Sequence, residues 1–210
     1  MTGAARGPAC LLILSCMNFE KAEKFIHDKL TRELPRHLFY HSIYHVEDVM
    51  DAALRLAKQE NIPAADLPLL QIAVLYHDSG FIIDTKNHEE IGCGIARESL
   101  PAFGFTPAQI ATVCGMIMAT RIPQLPHTHL EQILCDADLD YLGREDYDFI
   151  SNNLFKEMNL YSMLDEKSWL KLQIGFLEKH QYFTPSAISL RQASKDAKLA
   201  ELKKRYAALT

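Results

Sequence analysis

The chain is 210 residues long, 48% hydrophobic and 23% charged, which is enough length and apolar content for one compact domain with a sizeable core, and too apolar for a disordered segment. A formal charge of -5 and a pI near 6.0 exclude a nucleic-acid groove as the main working surface, because phosphate backbones reward clustered Lys and Arg; small anionic substrates stay compatible. Five cysteines, an odd number without CxxC spacing, exclude a complete disulfide framework and a structural zinc knuckle, and point to reduced thiols and a cytoplasmic location.

Residues 1–16 read as a disordered or extended leader: Ala9 to Ser15 is apolar between Arg6 and Cys16, but the run is too short to span a bilayer, so no membrane association is expected. Residues 17–210 read as a single domain. Helical periodicity dominates, and no alternating β-branched stretch persists, so the expected fold is all-α. Phe19, Ala22, Phe25, Ile26 and Leu30 predict an amphipathic helix from Asn18 to about Leu34, stopped by Pro35. Val46, Val49, Met50, Ala53 and Ala57 predict a second from about Tyr44 to Lys58. Asp66 can cap a third, whose run Leu69 to Tyr76 is apolar nearly all round and therefore central to the core. Further helices are expected from about His88 to Leu100, from Pro107 to Ala119 behind a Thr106 cap, and from Glu131 to Leu142. The last third predicts helices near Arg144 to Met158 and Asp165 to His180, then a long one opened by Thr184-Pro185.

Chemistry concentrates in four places on three predicted helices. His77-Asp78 closes the apolar third helix, where burying an ionised carboxylate costs several kcal/mol unless a cation or hydrogen-bond donors compensate it. His45 lies one turn before Val49, bordering a core face. The stretch Cys135 to Asp140 offers Asp136, Asp138 and Asp140. Helical spacing of Leu130, Ile133, Leu134, Ala137 and Tyr141 sets Asp138 and Asp140 at the two borders of the core stripe and Asp136 toward solvent, leaving the first two as alternatives. Two imidazoles and two carboxylates make a mixed shell for one divalent cation, with Mn, Mg, Fe or Ni better suited than Zn. Competing patterns are weaker. His41 and His45 stand four apart but lack the glutamate that helical zinc proteases place after the first histidine, His127-Thr128-His129 suits a polar helix entry, and no glycine-rich phosphate loop is present.

A histidine, a distant His-Asp pair and an Ala-Asp dipeptide, with the flanking segments Tyr40 to His45, Leu75 to Gly80 and Asn87 to Glu90, resemble the HD-domain superfamily of metal-dependent phosphohydrolases over roughly residues 40–143. The resemblance implies an HD-like helical bundle with additional C-terminal helices, and His45, His77, Asp78 and Asp138 as metal ligands. Superfamily members with two metals carry further histidines after the His-Asp pair. This chain offers His88 but has Thr120-Arg121 where another would stand, which implies one metal, with His88 as an acid/base or phosphate contact.

The implied activity is hydrolysis of a phosphate ester, of a nucleotide or another small phosphorylated metabolite, by metal-activated water. Asp84, six residues past Asp78 in a predicted loop, is the candidate for orienting that water. His41, Lys86 and Arg121 are candidate substrate contacts, since developing phosphoryl charge needs donors. A regulatory module that binds metal and nucleotide with little turnover is the alternative. Monoester or diester specificity and oligomeric state are open at this level.

Overall fold

The computed structural model describes residues 17–209, and the leader assigned to residues 1–16 lies outside them. The described residues are helical without strands, in the order α1 Phe19–Glu33, α2 Ile43–Gln59, α3 Leu67–Tyr76, α4 His88–Ser99, α5 Pro107–Ala119, α6 His129–Asp138, α7 Tyr147–Asn159, α8 Glu166–Lys179 and α9 Pro185–Ala208. Short 3-10 turns follow α3 (Ser79–Ile82), α4 (Leu100–Phe103) and α6 (Asp140–Gly143). The all-α expectation holds.

Helix starts follow their caps. Thr106 accepts from the Gln109 backbone while the Gln109 side chain reaches back, a reciprocal box, and Thr128 with Glu131 repeats it. Thr128 therefore starts α6 two residues before the expected Glu131, and the helix breaks at Leu139 instead of running to Leu142. Asp66 occupies the position before α3, but its side chain makes no capping bond, so that helix is held by packing. Leu70, Ile72, Ala73, Val74, Leu75 and Tyr76 are all buried, and each large side chain among them contributes roughly 1.5–3 kcal/mol by leaving water.

Helix α3 is wrapped by α1, α2 and α5, and α2 packs along α6. Together they enclose a first core that includes Ile26, Val49, Leu56, Ile117 and Leu134. A second core gathers Tyr40, Tyr141, Leu142, Tyr147, Leu170, Leu177 and Leu202 from the α1–α2 loop, the 3-10 turn after α6 and the C-terminal helices. The ends of α2, α3 and α6 that carry the chemical residues point to the boundary between these cores.

Two close approaches position that boundary. Asn87 takes φ 54°, the left-handed conformation that Asn tolerates better than most residues, and turns the chain into α4. Gly80 lies so near α4 that a Cβ there would stand 2.0 Å from the His88 carbonyl oxygen. Gly80→Ala must push α4 away from the 3-10 turn, and we expect a loss of about 1–3 kcal/mol, read by thermal melting; an unchanged melting temperature would contradict this packing.

Candidate metal centre

His45 sits in the first turn of α2, His77 ends α3, Asp78 follows it, and Asp138 is the last residue of α6. The folds of three helices thus deliver four side chains to one point. His45, His77 and Asp138 each bring one ligand atom within 4.8 Å of the others. The two Nε2 atoms are 3.4 Å apart, and Asp138 Oδ1 is 3.2 Å from that of His45 and 3.6 Å from that of His77. Asp78 reaches the same imidazoles, with Oδ2 3.4 Å from His45 Nε2 and 3.2 Å from His77 Nε2.

The donor set fits a cation. Atoms held about 2.0–2.2 Å from one ion stand roughly 3–3.6 Å from each other, which is the spacing seen. His77 Nδ1 lies 2.6 Å from the Val74 carbonyl oxygen, so Nδ1 donates and the Nε2 lone pair faces the cluster. Asp78 Oδ2 is buried yet accepts no hydrogen bond, since the nearby imidazole nitrogens are poorly aligned for one. A carboxylate oxygen buried without a donor is costly unless a positive charge compensates it.

Without an ion, His77 and Asp78 hold each other's charge. Burial works against a charged His77, but the adjacent Asp78 outweighs it and raises the imidazole to about 9. Burial likewise opposes ionisation of Asp78, and His77 beside it overrides that and holds the carboxyl well below its ordinary range.

The three aspartates of α6 and its following turn separate cleanly. Only Asp138 faces the imidazoles. Asp136, expected toward solvent, is fully buried, and it accepts from the backbone nitrogens of Phe183 and Thr184, each at 2.8 Å, and from the Thr184 hydroxyl at 2.7 Å. Burial pushes its pKa up to about 6 although those donors pull the other way. The error has a physical cause: helical periodicity sees one face of α6, whereas the start of α9 covers another. Asp140 is held by Arg191 through two bonds of 2.8 and 2.9 Å.

Beside the quartet opens a cavity of about 310 Å³, walled by Asp78, Asp138, His41 and His88 at one end and by side chains of α7 and α8 at the other. His88 lies on the Phe81 ring at 4.2 Å between centroids, and its Nε2 is 3.5 Å from Asp78 Oδ1 and from Glu89 Oε1. His41 stacks on Phe81 at 4.0 Å and lies 6.3 Å from the His88 ring, with Nδ1 against Glu157. Glu157 also accepts from the backbone nitrogens of Tyr40 and His41 at 2.9 and 3.1 Å. Burial disfavours a charged His41, but the Glu157 bond prevails and raises its pKa, while His41 lowers that of Glu157 against the same burial effect. Nothing in local sequence marks Glu157, whose partners lie 116 and 117 residues earlier.

Three expected contacts are not brought to the cavity. Asp84 and Lys86 are exposed in the Ile83–Asn87 loop, where Asp84 Oδ1 accepts from the Lys86 backbone at 3.0 Å and so shapes its own turn. Arg121 turns to Glu89 Oε2 at 3.3 Å and to Glu90, which absorb its charge. None of the three lines the cavity wall. Cys93, Cys114 and Cys135 are buried free thiols, and no helix of the described residues is long and apolar enough to cross a membrane.

Comparison with known proteins adds family and fold. Residues 42–140 match the family model described as HD domain. Among solved structures the chain is similar to the crystal structure of a predicted HD superfamily hydrolase from an uncultured Thermotogales bacterium, 23% identical, with 88% of this chain and 91% of that chain covered and a TM-score of 0.57. No curated protein matches the chain.

Proposed function

From the match of residues 42–140 to the HD-domain family model, we propose that this chain is a metal-dependent phosphohydrolase acting on a small phosphate ester, a nucleotide or another phosphorylated metabolite. The observation that carries the reading is the convergence of His45, His77, Asp78 and Asp138 around a buried Asp78 oxygen that has no hydrogen-bond donor. In this reading those four residues hold one divalent cation, Mn, Mg, Fe or Ni in preference to Zn, given two imidazole and two carboxylate donors. When bound, such an ion lowers the pKa of water and stabilises charge developing on phosphoryl oxygens.

The chain's own residues supply the rest. Water attacks phosphorus as the ester P–O bond breaks, and a proton must reach the departing alkoxide. His41 is the group placed for that transfer: Glu157 engages Nδ1 and favours the imidazolium, which leaves Nε2 for the cavity. His88, lodged on Phe81 beside Asp78 Oδ1, is placed to receive a proton from water or to bond a phosphoryl oxygen. Phe81 packs against both rings and so restricts their orientation. His41→Phe should keep bound metal while lowering kcat by about 10²-fold or more; an unchanged kcat would remove His41 from the reaction.

Metal analysis together with phosphate-release and phosphodiesterase assays across mono- and diesters tests the whole reading. One ion per chain with release from at least one ester is the expected result. Metal and nucleotide binding with no release from any would favour a regulatory module instead.

A further inference from the structure

We infer that the ester cleaved at this site carries a single phosphoryl group on an uncharged, largely apolar alcohol, aryl or alkyl, that lies in the chamber between α7 and α8. The inference rests on the phosphohydrolase reading for its reaction, and on independent observations for its substrate class.

The first is charge. Among the described residues no Lys or Arg lines the cavity. The basic side chains nearest in sequence to the site are accounted for elsewhere: Arg121 by Glu89 and Glu90, Lys86 by its exposed loop. At the reacting end Asp78, Asp138 and Glu89 carry carboxylates, and the His41 imidazole is paired with Glu157. A divalent ion would offset only the two aspartates. Polyphosphate chains carry three or four negative charges, and clusters of Lys and Arg are how proteins accommodate them. This cavity offers no such partner.

The second is the far wall. Leu154, Met158, Trp169, Leu172, Phe176 and Leu177 form it, a surface suited to methylenes or an aromatic ring. All six lie beyond residue 140, outside the segment matching the HD domain, so the chamber is what the C-terminal helices add to the metal-bearing bundle. Gln173 donates to the Tyr147 hydroxyl at 2.9 Å, so these two polar groups satisfy each other, and Ser151 and Tyr141 add hydroxyls elsewhere in the lining. Against the six-residue wall itself a ribose would set its hydroxyls mainly on carbon, whereas an alkyl or aryl alcohol would not.

Hydrolysis then runs R–O–PO₃²⁻ + H₂O → R–OH + HPO₄²⁻. The water oxygen forms the new bond to phosphorus, the ester oxygen takes the proton, and the apolar R–OH remains in the chamber until release.

Trp169 is the sole tryptophan of the chain and lines the chamber, so its emission reports occupancy without metal or turnover. In the full-length, chelator-treated chain, 1-hexanol is expected to shift Trp169 emission at concentrations at least about tenfold below adenosine or glycerol. In the metal-loaded chain, kcat/KM for hexyl phosphate and phenyl phosphate should exceed that for AMP by about tenfold and that for ATP by about a hundredfold. Leu172 is 47% exposed, so Leu172→Lys should fold normally and should shrink the preference for hexyl phosphate over ATP by about tenfold or more. Equal or better turnover of AMP or ATP would overturn the inference and leave the phosphohydrolase reading intact. Release from none of the esters would overturn that reading alone, and the Trp169 titration would still decide the chamber: a shift with 1-hexanol supports it, and tighter binding of adenosine refutes it.

Discussion

Asp78→Ala is expected to bring bound metal from one ion per chain to near zero and to lower phosphate release by about 10³-fold or more, since ligand removal outstrips the 10- to 100-fold effects of supporting residues. The same variant should lose its thermal response to metal. An ion that binds the folded chain alone stabilises it by RT ln(1 + [L]/Kd), about 2.7 kcal/mol at a hundred times Kd. At about 2–4 °C per kcal/mol for a chain of this size, wild type should gain roughly 5–10 °C in Tm on adding Mn²⁺, and Asp78→Ala should gain nothing. Bound metal and activity surviving in Asp78→Ala would remove this aspartate from the centre, and with it the account of the orphaned Oδ2.

The alternative for the quartet is a set of buried polar pairs with no ion. Its difficulty is the number of protons available. His77 Nδ1 is committed to Val74 O at 2.6 Å, so a neutral His77 has no proton for the 3.4 Å approach of the two Nε2 atoms or for Asp78 Oδ2. Charging His77, which Asp78 favours over burial, supplies one proton, but one proton cannot serve both His45 Nε2 and Asp78 Oδ2, and Asp78 Oδ2 still accepts no hydrogen bond. A cation satisfies both nitrogens and both carboxylates at once.

How far these features could be read in advance depended on the range of the interactions that make them. Caps and prolines are local, so α5 begins at Pro107 and α9 at Pro185 where Thr106 and Thr184 predict. His77 and Asp78 are legible for the same reason: a charged pair ending the apolar run of α3 is anomalous within ten residues of sequence. Asp136 is not, because its partners Phe183 and Thr184 lie 47 and 48 positions away on an element that periodicity cannot place. Glu157 escapes for the same reason. Arg121 follows a related logic, since exposed basic residues suit a phosphate until the fold sets Glu89 and Glu90 against one. The apolar chamber is further out of reach, because it exists only where α7 and α8 close over the preceding helices.

The three aspartates near the end of α6 give the sharpest separation of chemistry from stability, and Asp140 has the largest expected cost. It is 1% exposed, bonded twice to Arg191, with Arg55 Nη2 at 2.8 Å and Arg144 Nη1 at 3.6 Å. The Arg55 contact is off-line for a hydrogen bond, and Arg55 Nε is buried with no acceptor, so the Asp140 charge is what compensates that guanidinium. Removing one member of a buried ion pair strands the others and typically costs about 3–5 kcal/mol. Asp140→Ala should therefore drop Tm by roughly 6–20 °C, yet bind metal normally at temperatures where it remains folded. Asp138→Asn should do the reverse, losing the ion while the metal-free protein melts close to wild type, because replacing one of two facing carboxylates relieves repulsion as it removes a ligand. Asp136→Ala should fall between, losing about 1–3 kcal/mol as the donors of Phe183 and Thr184 go unmet, with metal retained. Equilibrium unfolding and metal content measured on the three variants side by side check the assignment. Metal loss in Asp140→Ala without a fall in stability would exchange the roles of Asp138 and Asp140.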